Sequence, residues 1–310
     1  MNRTVSRLVA GIAILAAPTI GYGQKTPDSK SSAGRQTIDR RSAIAPDASI
    51  RVAGAISSLK IIGWEHDSLA ITGSAPAGAR FDGGVGAPGA SGPSRGAKFY
   101  LETYNDLFGG GTLELRVPRG ARVWAKSGSA TIEVSGVTGG LDLNVVGGSV
   151  VVSSRPRELN IEAMDGDVRV MAGAEWLRVK TATGAIEVRG GSEDAGLSTV
   201  SGAIRVSDGR YERGKFETVT GDITYRGDVG FRGSMDMTTH SGRIELQLPP
   251  RPDVELDAAT VTGAIENGVT SSRPVTGREG RGMELGFSSG SGNTRVVIRS
   301  FKGNVVLKTR

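Results

Sequence analysis

The sequence predicts an all-β fold, one chain wound as a parallel β-solenoid with coils of about 18–21 residues, and three observations predict it. A frame of Thr, any residue, Ser or Thr, Gly, any residue and Ile recurs, beginning at Thr181, Thr199, Thr218, Thr239 and Thr260 with one Asp-tolerant position before the Ile. Around these copies apolar and polar residues alternate, as in Ile186-Glu187-Val188 and Ile204-Arg205-Val206, which is the period of a strand buried on one face. Glycine reaches 47 of 310 residues without a collagen period while aromatics make up only 5%, a composition of many turns in an ordered chain.

At the N-terminus, Arg3 and Arg7 give a basic start, residues 8–17 are apolar, Pro18 breaks the run, and Gly21 and Gly23 precede a cleavage position at Gln24. Residues 1–23 are therefore expected to be a signal peptide. The apolar run of about ten residues is shorter than the roughly 20 a spanning helix needs, so no transmembrane segment is expected after its removal. Residues 24–47, rich in Ser, Lys, Arg and Asp without an apolar period, read as a flexible leader. The solenoid domain is expected over 48–310, with loop excursions at about 78–96, marked by Gly83-Gly84, Pro88-Gly89 and Gly92-Pro93, and at about 267–282, marked by Arg273-Pro274.

Weaker copies extend the repeat upstream to Ala130-Thr131-Ile132 and downstream to Gly303-Asn304-Val305. From Ala130 through Gly148, Gly166, Gly184 and Gly202 each step is 18 residues; Gly221, Gly242 and Gly263 follow at 19, 21 and 21, and Gly303 lies 40 further on, about two coils. A second alternating stretch, such as Leu177-Arg178-Val179-Lys180-Thr181, precedes the corner, giving two strands per unit. That is too short for a propeller blade and too strand-rich for helical or leucine-rich repeats. A three-strand hexapeptide coil would need a six-residue aliphatic pattern, which is missing, so a two-strand or flattened coil is preferred. Stacking should align Ile186, Ile204, Ile223, Ile244 and Ile265 as an internal ladder at about 4.8 Å per coil, and about ten coils would span roughly 45 to 50 Å.

The corner residues are Thr183 and Gly184, Ser201 and Gly202, Thr220 and Gly221, Ser241 and Gly242, and Thr262 and Gly263. Each Gly is expected to supply a backbone conformation closed to residues with a β-carbon, and each preceding hydroxyl to bond the neighbouring coil or local backbone. The motif is thereby accounted for structurally.

With this frame the chain resembles a bacterial putative-adhesin family with β-strand repeats, a domain-of-unknown-function family. The resemblance is carried by Gly54-Ala55-Ile56 leading to Ile62-Gly63-Trp64-Glu65, by Leu115-Arg116-Val117-Pro118-Arg119-Gly120, by the repeated corners, and by the ending Asn293-Thr294-Arg295-Val296 through Leu307. It covers roughly 48–310 and implies an exported β-solenoid, with adhesion by analogy and no catalytic residues to carry over.

The chemistry the residues could support is narrow. Cysteine is absent, which excludes a disulfide framework, a thiolate metal site and a cysteine nucleophile. Only His66 and His240 exist, and His240 beside Ser241 reads as a corner residue, since neighbours along a strand point to opposite faces. Asp165-Gly166-Asp167 and the equivalent Asp222 read as solvated turn carboxylates rather than calcium ligands, because the Gly-Gly-x-Gly-x-Asp frame of calcium solenoids is missing. Glu187 and Glu245 are the candidate acids of a β-helical polysaccharide enzyme, but Arg205 and Thr224 interrupt any acidic row between them. Trp64, Trp124 and Trp176 read as core or cap residues rather than sugar platforms. No catalytic, metal or cofactor residue is assigned. Loss of Arg3 and Arg7 lowers the formal charge from +6 to +4 without clustering, so nucleic acid is not an expected partner.

The resulting expectation is a non-catalytic, exported envelope or surface protein, in the periplasm, on the cell surface or outside the cell, acting as an adhesin or interaction scaffold. Its expected partner is an envelope protein or a surface glycan, and no cofactor is expected. The alternatives are a periplasmic scaffold or ligand sensor and, behind it, the polysaccharide-acting enzyme.

Overall fold

A computed structural model describes residues 34–89, 92–103, 109–277 and 280–310; the expected signal peptide, and the leader up to residue 33, lie outside them. The described residues hold strands and turns with no helix, and none of their segments is a helix long and apolar enough to cross a membrane. The N-terminal strands are β1 (Arg35–Ala43), β2 (Ser49–Gly54), β3 (Ile56–Trp64), β4 (Ser68–Pro76), β5 (Arg80–Val85), β6 (Gly96–Glu102) and β7 (Gly111–Pro118). The repeat region follows with β8 (Arg122–Ser135), β9 (Gly140–Ser153), β10 (Glu158–Ala163), β11 (Asp167–Val170), β12 (Trp176–Thr181), β13 (Ile186–Arg189) and β14 (Ser192–Ser198). It continues through β15 (Ile204–Thr218), β16 (Ile223–Thr239), β17 (Ile244–Leu248), β18 (Val254–Thr260) and β19 (Ile265–Asn267), and the chain ends with β20 (Val275–Thr276), β21 (Met283–Ser289), β22 (Thr294–Ser300) and β23 (Val305–Thr309).

Each repeat contributes one strand to each of two parallel ladders. In the first, Asn160 of β10 stands between Asp142 of β9 and Arg178 of β12, an offset of 18 residues on either side. In the second, Ile186 of β13 pairs with Val168 before it and Ile204 after it. The long strands β8, β9, β15 and β16 serve both ladders. Alternation decides which side chains face inward: Leu177, Val179 and Thr181 are buried while Trp176, Arg178 and Lys180 are exposed. Slipping the register by one residue would turn every aliphatic side chain outward, which fixes the pairing.

The expected isoleucine ladder forms, with one change of order. Ile186, Ile204, Ile223 and Ile244 are consecutive rungs, but Val305 of β23 stands between Ile244 and Ile265. Upstream the row runs through Val168, Val150 and Ile132 to Leu59 of β3. These rungs are no more than 6% exposed, and burying each such side chain stabilises the fold by about 1.5–3 kcal/mol. Beside this row Tyr211, Phe216 and Tyr225 pack as a buried aromatic cluster with ring centroids 5.9–6.0 Å apart. Their polar ends are satisfied: the Tyr211 hydroxyl donates to Gly190 O and the Tyr225 hydroxyl to Asp228 O, both at 2.7 Å. Burial raises both phenol pKa values far above the ordinary range.

The position of Gly303 corrects the expectation that it lies two coils beyond Gly263. Strands β22 and β23 insert between the unit of β16 and β17 and the unit of β18 and β19. The same device closes the other end, where β2 and β3 lie between β8 and the pair β6 and β7. Sequence order and spatial order therefore part at both ends. Outside these insertions the ladders are covered by antiparallel strands: β5 on β6, β4 on β7 and β1 on β4 at one end, and β21 on β18 with β20 on β21 at the other. Antiparallel cover of this kind blunts edges that would otherwise template pairing with another chain.

Three boundaries are also corrected. The leader expected to reach residue 47 gives way to strand β1 at Arg35, because nine consecutive residues find backbone partners on β4 and Ile38 is buried. The first excursion is shorter than 78–96, since Arg80–Val85 form a hairpin strand on β6. The second is longer than 267–282, since β21 carries the chain antiparallel along β18 before β22 turns into the stack.

At the corners the role of the glycine differs from that expected. The glycines at 184, 202, 221, 242 and 263 all have ordinary negative φ. What each requires is closeness: a β-carbon on Gly184 would collide with Gly166 O, on Gly221 with Gly202 O, and on Gly242 with Gly221 O. The hydroxyls before them, Thr183, Ser201, Thr220, Ser241 and Thr262, are exposed, and four bond the neighbouring unit as expected: Thr183 donates to Asp165 Oδ1 at 3.1 Å, Thr220 to Val200 O at 3.4 Å, Ser241 to Val219 O at 3.5 Å and Thr262 to Phe301 O at 3.4 Å. The first Thr of each frame is the buried one. Thr181 donates to Gly184 O at 2.7 Å and Thr218 to Gly221 O at 2.6 Å, while Gly242 N–H donates to Thr239 Oγ1 at 2.9 Å and Gly263 N–H to Thr260 Oγ1 at 3.0 Å.

Candidate functional site

The sequence-derived candidates for chemistry are distributed rather than gathered. Glu187 and Glu245 occupy one row of the second ladder, separated by Arg205 and Thr224. Three strand spacings put their backbones about 14 Å apart, beyond the 5–9.5 Å separation of paired glycosidase carboxyls. Each is held by cations: Glu187 lies 3.5 Å from Arg169 and 3.2 Å from Arg189, and Glu245 lies 3.2 Å from Arg243 and 3.1 Å from Lys308. A hydrogen bond from Gln247, with those from Lys308 and the nearby positive charges, holds the Glu245 carboxyl below the usual range despite partial burial. Asp167 accepts the Ala185 N–H at 2.9 Å and Asp222 accepts the Arg243 N–H at 2.8 Å, so these turn carboxylates tie one unit to the next. His240 stacks on Phe301 with ring centroids 4.9 Å apart, and His66 meets Trp64 edge-on at 4.9 Å.

The tryptophans are where the structure departs most from expectation. Trp64 is half-buried at the end of β3, its indole N–H donating to Ser68 O at 2.9 Å. Trp124 is half-buried and Trp176 is 45% exposed, and neither enters the core. Their neighbours explain this: Val123 and Ala125 are buried on β8, and Leu177 on β12, so the intervening residues must point outward. The alternation was the signal that could have placed them, had it been extended from the aliphatic residues to the aromatic ones between.

Both tryptophans flank one groove of ≈ 630 Å³ on the outer face of the first ladder. One register line across it runs Trp124, Asp142, Asn160, Arg178, and the line two residues earlier runs Arg122, Gly140, Glu158, Trp176. The two rings are thus carried on strands three spacings apart, about 14 Å across the ladder. Gly140 is buried under the stem of Arg122, whose Cγ lies 3.4 Å from where a Gly140 β-carbon would stand. Asp142 accepts from Asn144 at 2.6 Å and from Asn160 at 3.3 Å, which orients its carboxylate along the face.

Trp176 is held from the far side. Asp194 takes the Arg178 guanidinium at 2.6 Å and the Arg213 guanidinium at 3.0 Å, and Arg213 lies 6.0 Å from the centre of the Trp176 ring. Burial opposes ionisation of Asp194, yet the hydrogen bonds and charges of Arg213 and Arg178 outweigh it and keep the carboxyl below its ordinary range. The groove combines two aromatic platforms with oriented amide, carboxylate and guanidinium groups on a rigid sheet, an arrangement suited to a polyhydroxylated ligand that offers both apolar ring faces and hydroxyl edges.

The chain was compared with proteins already known. One solved structure, a putative cell adhesion protein from Clostridium sporogenes ATCC 15579, is 10% identical with a TM-score of 0.22, covering 89% of this chain and 100% of that one. Another, a putative adhesin from Bacteroides fragilis NCTC 9343, is 13% identical with a TM-score of 0.42, covering 89% of this chain and 98% of that one. No curated protein matches. Residues 92–308 match the family described as Toastrack DUF4097, from just before β6 into the final strand β23. In agreement with the resemblance carried by its repeats and its ending, the chain belongs to the Toastrack DUF4097 family.

Proposed function

We propose that the protein is a non-catalytic, exported β-solenoid of the adhesin type that holds a glycan along the groove between Trp124 and Trp176. The observation that carries this reading is the pair of outward tryptophans, Trp124 and Trp176, that line one groove together with Asp142, Asn160 and Arg178. Repeated parallel pairing at 18-residue offsets supports the solenoid, and residues 1–23 with their basic, apolar and small-residue regions support export. The ion-paired and widely separated Glu187 and Glu245 support a binding rather than a hydrolytic role. Adhesion is the function suggested by the family, and a rigid face is well suited to it because little conformational freedom is lost on binding.

A panel of neutral and acidic polysaccharides, titrated against the wild-type chain and the Trp124→Ala and Trp176→Ala variants, tests this. Each substitution is expected to cost about 1–2 kcal/mol, a five- to thirtyfold loss of affinity, with thermal stability retained. Failure of the whole panel to bind, or binding unchanged in both variants, would overturn the reading.

A second reading, docking of another envelope protein, is favoured by a different surface. The second residue of the corner frame forms an exposed apolar row that includes Val146, Met164, Val200, Val219, Phe301 and Val261. Replacing Val200 and Val219 with Ser should abolish crosslinking to an envelope partner under this reading and leave glycan binding unchanged.

A further inference from the structure

The groove is electrostatically lopsided. Around Trp124, Arg51 stands on the adjacent strand β2, Lys98 lies beyond it on β6, and Arg122 and Lys126 flank the tryptophan two residues before and after on β8. Alternation sends all four to the same outer face, and all four are exposed. By contrast Arg178 and Arg213 are neutralised by Asp194, and Arg95 is by Asp47. These four form no ion pair with a carboxylate among the described residues. The acidic groups of the groove, Asp142 and Glu158, lie on the opposite side of Trp124, on β9 and β10.

Resting on the glycan reading above, we infer that the ligand is an acidic polysaccharide whose anionic group sits at the Arg51 and Arg122 end, beside the Trp124 ring. Adjacent strands place Arg51 about 5 Å from Trp124 at the backbone, and Arg122 is about 7 Å away along β8, so both guanidinium groups reach a substituent on a sugar stacked against the indole. Asp142 and Glu158 then face uncharged hydroxyls, for which carboxylates are strong acceptors. The same two carboxylates disfavour a single-stranded nucleic acid, which would bring a phosphate to every position along the groove.

The test uses the full mature chain with polygalacturonate, alginate and hyaluronate, each beside its fully methyl-esterified, uncharged form, and with a single-stranded oligonucleotide. At least one of the three acids should bind about tenfold more tightly than its own ester, and the preference should fall as salt screens the charges. The Arg51→Gln, Arg122→Gln double variant should bind the acid no more tightly than its own ester, and its melting temperature should match that of the wild type. Equal binding of acid and ester, or a preference that survives the double variant, overturns the inference and leaves the glycan reading standing. Tighter binding of the oligonucleotide overturns it in favour of nucleic acid. If neither these polysaccharides nor the wider panel of neutral ones bind, the glycan reading itself fails.

Discussion

Each corner glycine has a carbonyl of the adjacent unit where a β-carbon would stand, and the row continues from Gly166 through Gly242 to Gly303 and Gly263. Backbone on both sides leaves no flexible side chain to move aside. Gly221→Ala is therefore expected to destabilise the fold by about 3 kcal/mol, whereas Gly128→Ala, with nothing within 4 Å of its added carbon, should change stability by less than about 0.5 kcal/mol; urea denaturation of both variants checks this. The glycine at every corner was legible in the sequence, but its cause was not, since a demand for positive φ and a demand for closeness select the same residue. The hydroxyls were legible in part. Two polar residues share the frame: buried Thr218 bonds Gly221 within its own unit and exposed Thr220 bonds Val200 O of the unit before, the bond expected of it; continuing the alternation of Leu177 and Val179 to Thr181 would have added the buried one. Two carboxylates give the fold a defined acid response. Asp194 and Glu245 have pKa values lowered by folding, so their stabilisation is present above the ordinary carboxylate range, near pH 4, and is lost as pH falls through their lower native values. Stability should thus decline on acidification below about pH 4, and Asp194→Asn should flatten that decline in denaturation curves taken across pH.

Among the elements, the inserted terminal strands matter most. β22 and β23 are paired on both edges although they are the last strands of the chain, while β20 and β21 precede them and lie outside. Hydrogen exchange should find the amides of β22 and β23 protected as strongly as those of β16 and β17, with β20 exchanging faster; fraying of β23 ahead of β20 would contradict the insertion. This arrangement could not be read from spacing. The 40-residue interval before Gly303 fits two further units as well as a reversal through β21, and the antiparallel strand that makes the reversal carries no corner motif to announce it.

At the scale of the whole described unit, two uninterrupted ladders give a sheet face on which side-chain positions are set by register. The periodic core was legible because every unit repeats it; the groove was not, because Trp124 and Trp176 each occur once and break no period. Their placement nevertheless follows from the repeat, which sends them outward on strands three spacings apart. The three indoles provide the most direct measurement. Titrating the protein with the tightest-binding member of the polysaccharide panel while following the indole N–H resonances should shift those of Trp124 and Trp176 and leave that of Trp64, bonded to Ser68 in its turn, in place. A shift confined to Trp64, or saturation with all three resonances unmoved, would contradict a binding site on this face.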